Sequence, residues 1–260
     1  MNDNSQLSTD PISTPSGLTT RTKRIIAIAL AAGLVIVGVL FVYAMLVYPT
    51  KQPYRDAHAQ YLNVKNANIA LTESGANING AGATDEQFKQ NIATVKAALQ
   101  SLVGENTALA KEAVLQDGEG KAVYTAFDKK LQTYAAYNEA VITSIETLRP
   151  ALRLCPDGTT GEEGMTIATN EARACADALG ELQLPDADYD AMAASYSDIY
   201  RQLAEKIDAG HVSEGEALVE ELSDVIATFR KNLQTHQAEV DITQRAMALD
   251  EYLSNKSRIF

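Results

Sequence analysis

The sequence predicts an all-α protein in which a single N-terminal transmembrane helix precedes an elongated bundle of about six helices. Three observations lead to this fold class. Residues 25–48 are apolar and carry no charged side chain. Beyond them, apolar residues recur at intervals of three and four, the spacing of one helix face. The 260 residues include only seven prolines and no tryptophan, and they are rich in Ala, Leu, Glu and Gln, a composition that favours helix over sheet.

Residues 1–24 are predicted to form a disordered cytoplasmic tail with a basic end. The first 20 residues are rich in Ser, Thr, Asn and Pro and contain few apolar side chains. Such a segment cannot bury enough surface to offset the entropy lost on ordering. Arg21, Lys23 and Arg24 supply the basic end, directly before the apolar run.

Residues 25–48 are predicted to be an uncleaved signal anchor. A helix of this length reaches roughly 36 Å, enough to cross a hydrocarbon core of about 30 Å. A cleavable signal peptide is the alternative, but its apolar region is usually about 7–15 residues long and ends in a small-x-small site. The run here is longer and lacks such an end. Pro49 and Pro53 are expected to end the helix of the anchor.

The basic residues around the anchor predict its orientation in the cell membrane. Three lie before the run and two lie after it (Arg21, Lys23 and Arg24; Lys51 and Arg55). The positive-inside rule then predicts a single-pass protein with a cytoplasmic N-terminus. Both cysteines fall in residues 49–260, which agrees with an oxidising compartment for that segment. We therefore expect residues 49–260 to be an extracytoplasmic helical domain.

The charge of the chain bears on its partners. The formal net charge is −12; residues 1–24 carry +1 and residues 25–48 carry none, so residues 49–260 carry −13. Nucleic acid is excluded as a partner because its binding draws on Lys and Arg. The expected partners are the lipid bilayer, through residues 25–48, and a protein on the helical domain. Ala29 and Gly33 have the small-xxx-small spacing that lets two spans approach closely, so a homo-oligomer is an open alternative.

The first half of the domain contains three predicted helices. The first covers about 54–73, and a glycine-containing connection, 74–83, follows it. Thr84 and Gln87 form a capping box for the second helix, in which Gly104 is a candidate interruption and residues 117–120 are the end. The third helix is expected to kink or end at Pro150. Its apolar stripes are as follows: Tyr61, Val64 and Leu71, with the polar Asn68; Phe88, Ile92, Val95, Leu99 and Leu102; Tyr124, Phe127, Leu131, Tyr134, Val141, Ile145, Leu148 and Leu152.

Three more helices are predicted after the loop 155–164. The fourth carries its apolar stripe up to Leu182 and is separated from the fifth by Pro185. The fifth ends at Gly210, and the last, from about 213 to 254, is the longest. The stripes of these helices are the following: Ala168, Ala172, Cys175, Leu179 and Leu182; Tyr189, Met192, Tyr196, Ile199, Leu203 and Ile207; Leu218, Leu222, Val225, Phe229, Leu233, His236, Val240 and Met247.

A disulfide between Cys155 and Cys175 is predicted. Each cysteine continues the apolar stripe of its own helix, and the glycine-containing loop between them lets the two helices fold back on each other. With only two cysteines, one intramolecular pairing exists. The competing interpretation is a pair of buried free thiols in a reduced compartment.

The sequence contains no recognisable catalytic or cofactor motif. It has neither an H-E-x-x-H metal motif nor a phosphate-binding glycine loop nor a G-x-S-x-G elbow, so we predict no catalytic residue, no metal and no cofactor. His236 lies in phase with an apolar stripe, which is typical of a hydrogen-bonded core histidine; a proton-binding histidine is the alternative. Asp186, Asp188 and Asp190 alternate like the start of a calcium loop, but the sixth position is Ala191, so we interpret them as a helix cap.

These observations predict a non-enzymatic interaction or scaffold module anchored in the membrane. A module that binds a small ligand or a peptide between its helices is the alternative, and an envelope hydrolase is the third. The eleven tyrosines suit packing and interfaces because each supplies area with a polar tip. Tyr137 and Tyr200 lie just off the apolar stripes and are the interface candidates.

Overall fold

The predicted all-helical bundle is confirmed by a computed structural model, which describes residues 20–78, 84–156, 160–161, 164–165 and 169–258. These residues contain seven α-helices and a short 3-10 helix, Ala113–Leu115. Two strands of two residues each, Thr160–Gly161 and Gly164–Met165, pair in an antiparallel ladder. The α-helices are α1 Thr20–Gly75, α2 Asp85–Leu109, α3 Gly118–Leu152, α4 Thr169–Gly180, α5 Ala187–Asp208, α6 Val212–Val240 and α7 Thr243–Ser257.

Helix α1 differs from the prediction at both prolines and at its start. It continues through Pro49 and Pro53, where the sequence predicts an end. A proline removes one backbone donor and strains the turn before it, but the bonds on either side propagate the helix. The helix also begins at Thr20, within the predicted disordered tail, whereas residues 1–19 lie outside the described residues.

Residues Lys51–Arg258 form one compact unit, and the helical residues up to Thr50 belong to another. Within the part of the chain that the structure describes, no helix is both long and apolar enough to cross a membrane. Most side chains of the predicted anchor, 25–48, lie outside the described residues.

The core of the compact unit is built from the predicted apolar stripes. Tyr61, Val64 and Leu71 of α1 are buried, as are all five stripe residues of α2 and most of those of α3. The capping box at the start of α2 is also confirmed, because Gln87 N donates to Thr84 Oγ1 at 3.2 Å and Thr84 N donates to Gln87 Oε1 at 2.9 Å. Local periodicity therefore places the core correctly in the first half of the domain.

Two expectations about α2 are corrected, whereas α3 does end close to Pro150, as predicted. Gly104 does not interrupt α2, which ends at Leu109 rather than near residue 117. The chain then makes the 3-10 turn before α3 begins. Pro150 lies in the last turn of α3, where its missing N–H costs one bond and the helix ends two residues later.

The predicted last helix is two helices. It breaks at Asp241 and Ile242, between α6 and α7. The Asp241 carboxylate accepts hydrogen bonds from Thr243 N at 3.0 Å and from Thr243 Oγ1 at 2.7 Å, and these bonds lower the pKa of Asp241. A side chain that bonds the backbone two residues on offers an alternative to the helix, and the side chain of Ile242 is buried at the break.

Helix α6 is the least buried of the long helices in the unit. None of its described side chains, residues 217–240, is fully buried. Its apolar stripe is only partly covered by the core, and its members are Leu218, Leu222, Val225, Phe229 and Leu233. Phe229 nevertheless meets the Tyr189 ring edge-to-face, with centroids 4.8 Å apart. Incomplete burial of an apolar stripe leaves space beneath the helix.

Candidate functional site

The space beneath α6 includes a cleft of about 500 Å³, which we call the tyrosine cleft. It lies between the C-terminal end of α1, α2, α3, the start of α5 and the C-terminal half of α6. Most of its lining is aliphatic, and none of its described lining residues is charged. Its polar lining residues are Thr72, Tyr134, Tyr137, Asn138, Tyr189 and Gln237. An apolar pocket with a few hydrogen-bonding groups is the usual form of a small-ligand site.

Helix α3 supplies one wall of the cleft through its periodicity. Tyr134, Tyr137, Asn138 and Val141 stand at intervals that place them on one face of the helix, and all four line the cleft. Asn138 Nδ2 donates to the carbonyl oxygen of Tyr134 at 2.8 Å. Burial raises the pKa of Tyr134, an effect that hydrogen bonds with Thr72 and Asn138 partly offset.

Tyr137 is the least satisfied polar group in this wall. Its hydroxyl oxygen is buried and has no hydrogen-bond partner. Burial, and then the charges of Asp186 and Asp188, raise the pKa of Tyr137 to about 12. The hydroxyl therefore stays protonated at neutral pH and keeps its ability to donate. A buried donor without a partner costs about 1–3 kcal/mol, and a bound acceptor would recover that cost.

The two aspartates near Tyr137 belong to the start of α5. Asp186 Oδ1 accepts from the backbone N–H groups of Asp188 and Tyr189, each at 3.1 Å, and Asp186 N donates to Ser144 Oγ at 3.1 Å. Asp190 Oδ1 accepts from Leu184 N at 2.9 Å. The interpretation as a helix cap is confirmed for Asp186, whereas Asp188 and Asp190 lie in the first turn of α5. Within the described residues, no group of three or more His, Cys, Asp or Glu side chains could hold a metal ion.

Asp188 also forms a hydrogen-bonded pair with His236. Asp188 Oδ2 lies 2.6 Å from His236 Nδ1, and it links the start of α5 to the C-terminal half of α6. The Asp188 side chain is 9% exposed and that of His236 is 45% exposed. His236 is hydrogen-bonded, as the sequence predicts, but the expectation that it is a core residue is wrong. The hydrogen bond and charge of Asp188 raise the pKa of His236.

We expect the His236–Asp188 pair to make stability depend on pH. Because the folded pKa of His236 is raised, its contribution is complete below the unfolded pKa of about 6.5 and is lost as pH rises through the folded pKa. The free energy of unfolding should therefore decline above pH 6.5, and His236→Gln should flatten that decline. Urea titrations at a series of pH values above and below about 6.5 measure the free energy of unfolding of both proteins. The matched variant is His211→Gln, and an equal flattening by it would contradict the assignment.

The structure places Cys155 and Cys175 at disulfide distance. Their Cα atoms are 4.6 Å apart, within the range of about 4.4–6.8 Å that disulfides require. The pair connects the residues after α3 with α4. Cys175 is fully buried, and Cys155 packs against the core.

The two interface candidates among the tyrosines have different positions. Tyr137 lines the tyrosine cleft. Tyr200 is only 6% exposed, and its hydroxyl donates to the carbonyl oxygen of Pro156 at 3.2 Å. The interpretation of Tyr200 as an interface residue is therefore wrong, because its side chain is buried within the domain. No sequence signal separates the two tyrosines, since Pro156, which bonds the Tyr200 hydroxyl, is 44 residues away in sequence.

Comparison of the chain with protein-family models, with curated proteins and with solved structures finds no match.

Proposed function

We propose that this chain is a membrane-anchored, non-enzymatic binding module whose extracytoplasmic helical domain takes an uncharged, largely apolar ligand in the tyrosine cleft. The observation that carries the proposal is the buried Tyr137 hydroxyl, which has no hydrogen-bond partner in a cleft lined mostly by aliphatic side chains. A neutral ligand with one acceptor atom would satisfy this hydroxyl and cover the apolar walls. A peptide that inserts an apolar side chain offers the same chemistry.

The charges around the cleft support a neutral ligand over an anionic one. Asp186 and Asp188 lie close enough to Tyr137 to raise its pKa, so an anion at its hydroxyl would meet two carboxylates, of which Asp188 is paired with His236. No basic side chain among the described lining residues would compensate for them. An anion would also lose its hydration on entry, and that loss is costly without a paired charge.

We expect 2-naphthamide to bind to the full-length protein and 2-naphthoate, its anionic analogue, to bind much more weakly. Tyr137→Phe should weaken 2-naphthamide binding about tenfold, the upper end of the 0.5–1.5 kcal/mol that one hydrogen bond contributes. It should not lower the free energy of unfolding, because it removes an unsatisfied buried hydroxyl. NMR titration of tyrosine-labelled protein measures the affinities, and urea titration measures the stability.

The control variant is Tyr196→Phe, which removes a half-buried hydroxyl outside the tyrosine cleft. It should leave 2-naphthamide binding unchanged. Equal binding of the amide and the carboxylate, or equal weakening by both variants, would contradict the proposed site.

The anchor is the other part of the proposal, and its support comes from sequence. Residues 25–48 are uncharged and long enough to cross a bilayer, and the basic excess precedes them. Protease added to spheroplasts is expected to digest the domain and spare the tail before Arg21. Full protection of the domain would reverse the orientation, and a mature N-terminus near Met45 would show that the segment is cleaved.

A scaffold role is the second candidate, and one observation favours it. Leu62 and Ile69 stand seven residues apart on α1, and they are 40% and 46% exposed. Residues at this spacing share a helix face, so the two could contact a partner protein. A cleft that binds none of the neutral probes, together with in-cell cross-links from this face to one protein, would favour scaffolding over ligand binding.

A further inference from the structure

The start of the compact unit and its C-terminal helix meet in a cluster of basic and aromatic side chains. We call this cluster the basal face and define it as Lys51, Tyr54, Arg55, Tyr252, Lys256 and Arg258. The rings of Tyr54 and Tyr252 meet edge-to-face with centroids 6.2 Å apart. Arg55 Nε donates to the carbonyl oxygen of Ser257 at 3.4 Å. Lys256 Nζ lies 5.6 Å from the centroid of the Tyr252 ring. Residues distant in sequence thus form one surface.

The start of α3 and the turn before it lie at the same end of the unit. Lys256 Nζ lies 3.1 Å from Glu119 Oε2, and a Cβ built on Gly120 would lie 3.0 Å from the Tyr252 hydroxyl. The charge of Asp56 contributes to the raised pKa of Glu112, which places the 3-10 turn near α1. Segments 51–56, 111–121 and 252–258 therefore form one end of the bundle.

The charge of this end is opposite to that of the remaining domain. The three segments contain six basic residues and four acidic ones, which gives a local net charge of +2. Residues 49–260 carry −13 in all, so the remainder carries −15. A positive end on a strongly acidic domain is an asymmetry that a negatively charged surface would recognise.

The position of this end along the chain indicates which negatively charged surface it meets. Lys51 follows Tyr48, the last residue of the uncharged run, by three residues. Three residues reach at most about 10 Å, which is comparable to the thickness of one headgroup layer. If residues 25–48 cross the membrane, as the proposed function holds, Lys51 stays within that distance of the bilayer surface.

We propose that the basal face binds the headgroups of anionic phospholipids. Lys and Arg side chains pair with lipid phosphates, Arg in a bidentate geometry. Tyrosine rings favour the lipid–water interface, where the ring is half-buried and the hydroxyl stays wet. The rest of the domain, with its net charge of −15, is repelled by the same surface. The domain therefore contacts an anionic membrane through this end only.

The test uses the full chain in nanodiscs of phosphatidylcholine alone or of phosphatidylcholine mixed with phosphatidylglycerol. Hydrogen exchange is followed by mass spectrometry. We expect peptides covering 51–56 and 252–258 to exchange about fivefold more slowly on the anionic discs, the factor that corresponds to one basic residue at an anionic surface. High salt should abolish the difference. Peptides from the middle of α2 should exchange equally on both discs.

Two sets of variants separate charge from fold. The neutral set is Lys51→Gln, Arg55→Gln, Lys256→Gln and Arg258→Gln, and it should remove the lipid-dependent protection. The matched control set neutralises four exposed basic residues elsewhere, and it should keep the protection; its members are Lys89→Gln, Lys129→Gln, Arg230→Gln and Lys231→Gln. The charge-retaining pair Lys51→Arg and Lys256→Arg should also keep it.

Failure of this inference is distinguishable from failure of the anchor. A chain that alkaline carbonate extracts from vesicles lacks an anchor, and this result would overturn the proposed function. A chain that stays in the bilayer but exchanges equally on both discs would overturn the lipid contact alone. Protection that rises with the number of chains per disc would instead mean that the face binds a second copy, and it would also overturn the proposal.

Discussion

Replacing both cysteines, as Cys155→Ala and Cys175→Ala, is expected to lower the free energy of unfolding by about 3 kcal/mol. The two residues are 20 apart in sequence, and a bond between them restricts the unfolded chain by closing a loop of that length. The expected loss is the entropy that the open chain regains. Because a bond between the two cysteines would tie the residues after α3 to α4, its loss should also speed hydrogen exchange in both helices.

Urea titration of the full chain measures the loss, and wild-type protein treated with reductant is the matched control. Reduction opens the loop but keeps both sulfur atoms, so it should reproduce most of the loss if the bond is responsible. A reduced wild type as stable as the oxidised one would show that the double variant loses packing around the buried Cys175. Two reactive thiols in denatured, unreduced protein would show that no bond exists, and the argument for an oxidising compartment would lose its support.

Gly120→Ala is expected to destabilise the domain by about 1–3 kcal/mol, the usual cost of overpacking a core. A Cβ at this position would lie 1.9 Å from the carbonyl oxygen of Val114 and 3.0 Å from the hydroxyl of Tyr252. The first contact is with backbone, so it can be relieved only if α3 moves away from the 3-10 turn. That movement would also disturb the packing of α7, because Tyr252 stands on it.

Gly104→Ala is the matched control, since it makes the same chemical change in the interior of α2. A Cβ at Gly104 would meet nothing within 4 Å, so alanine only restricts the unfolded chain and favours helix. The expected result is a gain of roughly 0.5–1 kcal/mol. Urea titration of both variants measures the two changes in the free energy of unfolding, which should have opposite signs. Equal effects would contradict the close approach of α3 to the turn.

Local signals in the sequence were sufficient to predict that the domain is helical and which helix faces are buried. The stripe Phe88, Ile92, Val95, Leu99 and Leu102 is buried throughout, because a spacing of three and four residues is a property of the helix itself. The capping box of Thr84 and Gln87 and the helix cap of Asp186 follow for the same reason, since each joins residues close in sequence. The sequence also predicted that Cys155 and Cys175 lie close together, because a short glycine-containing segment separates them.

Helix ends were less predictable because competing local interactions decide them. The sequence predicts an end at Pro49 and Pro53, where α1 continues, and a continuous helix through Asp241, where the chain breaks. In the first case the propagation of the helix outweighs two missing donors. In the second, the bonds from Thr243 to Asp241 and the burial of Ile242 favour the break.

The candidate site depended on tertiary structure. His236 and Asp188 are 48 residues apart in sequence, and no spacing rule pairs them. Tyr137 and Tyr200 both lie just off an apolar stripe in the sequence, yet Tyr137 lines the cleft, whereas Tyr200 is buried and its hydroxyl donates to the Pro156 carbonyl oxygen. The sequence determined which faces of the helices are apolar, because periodicity is local. Only the tertiary structure decided which polar groups lose water without gaining a partner, because that depends on packing between distant segments.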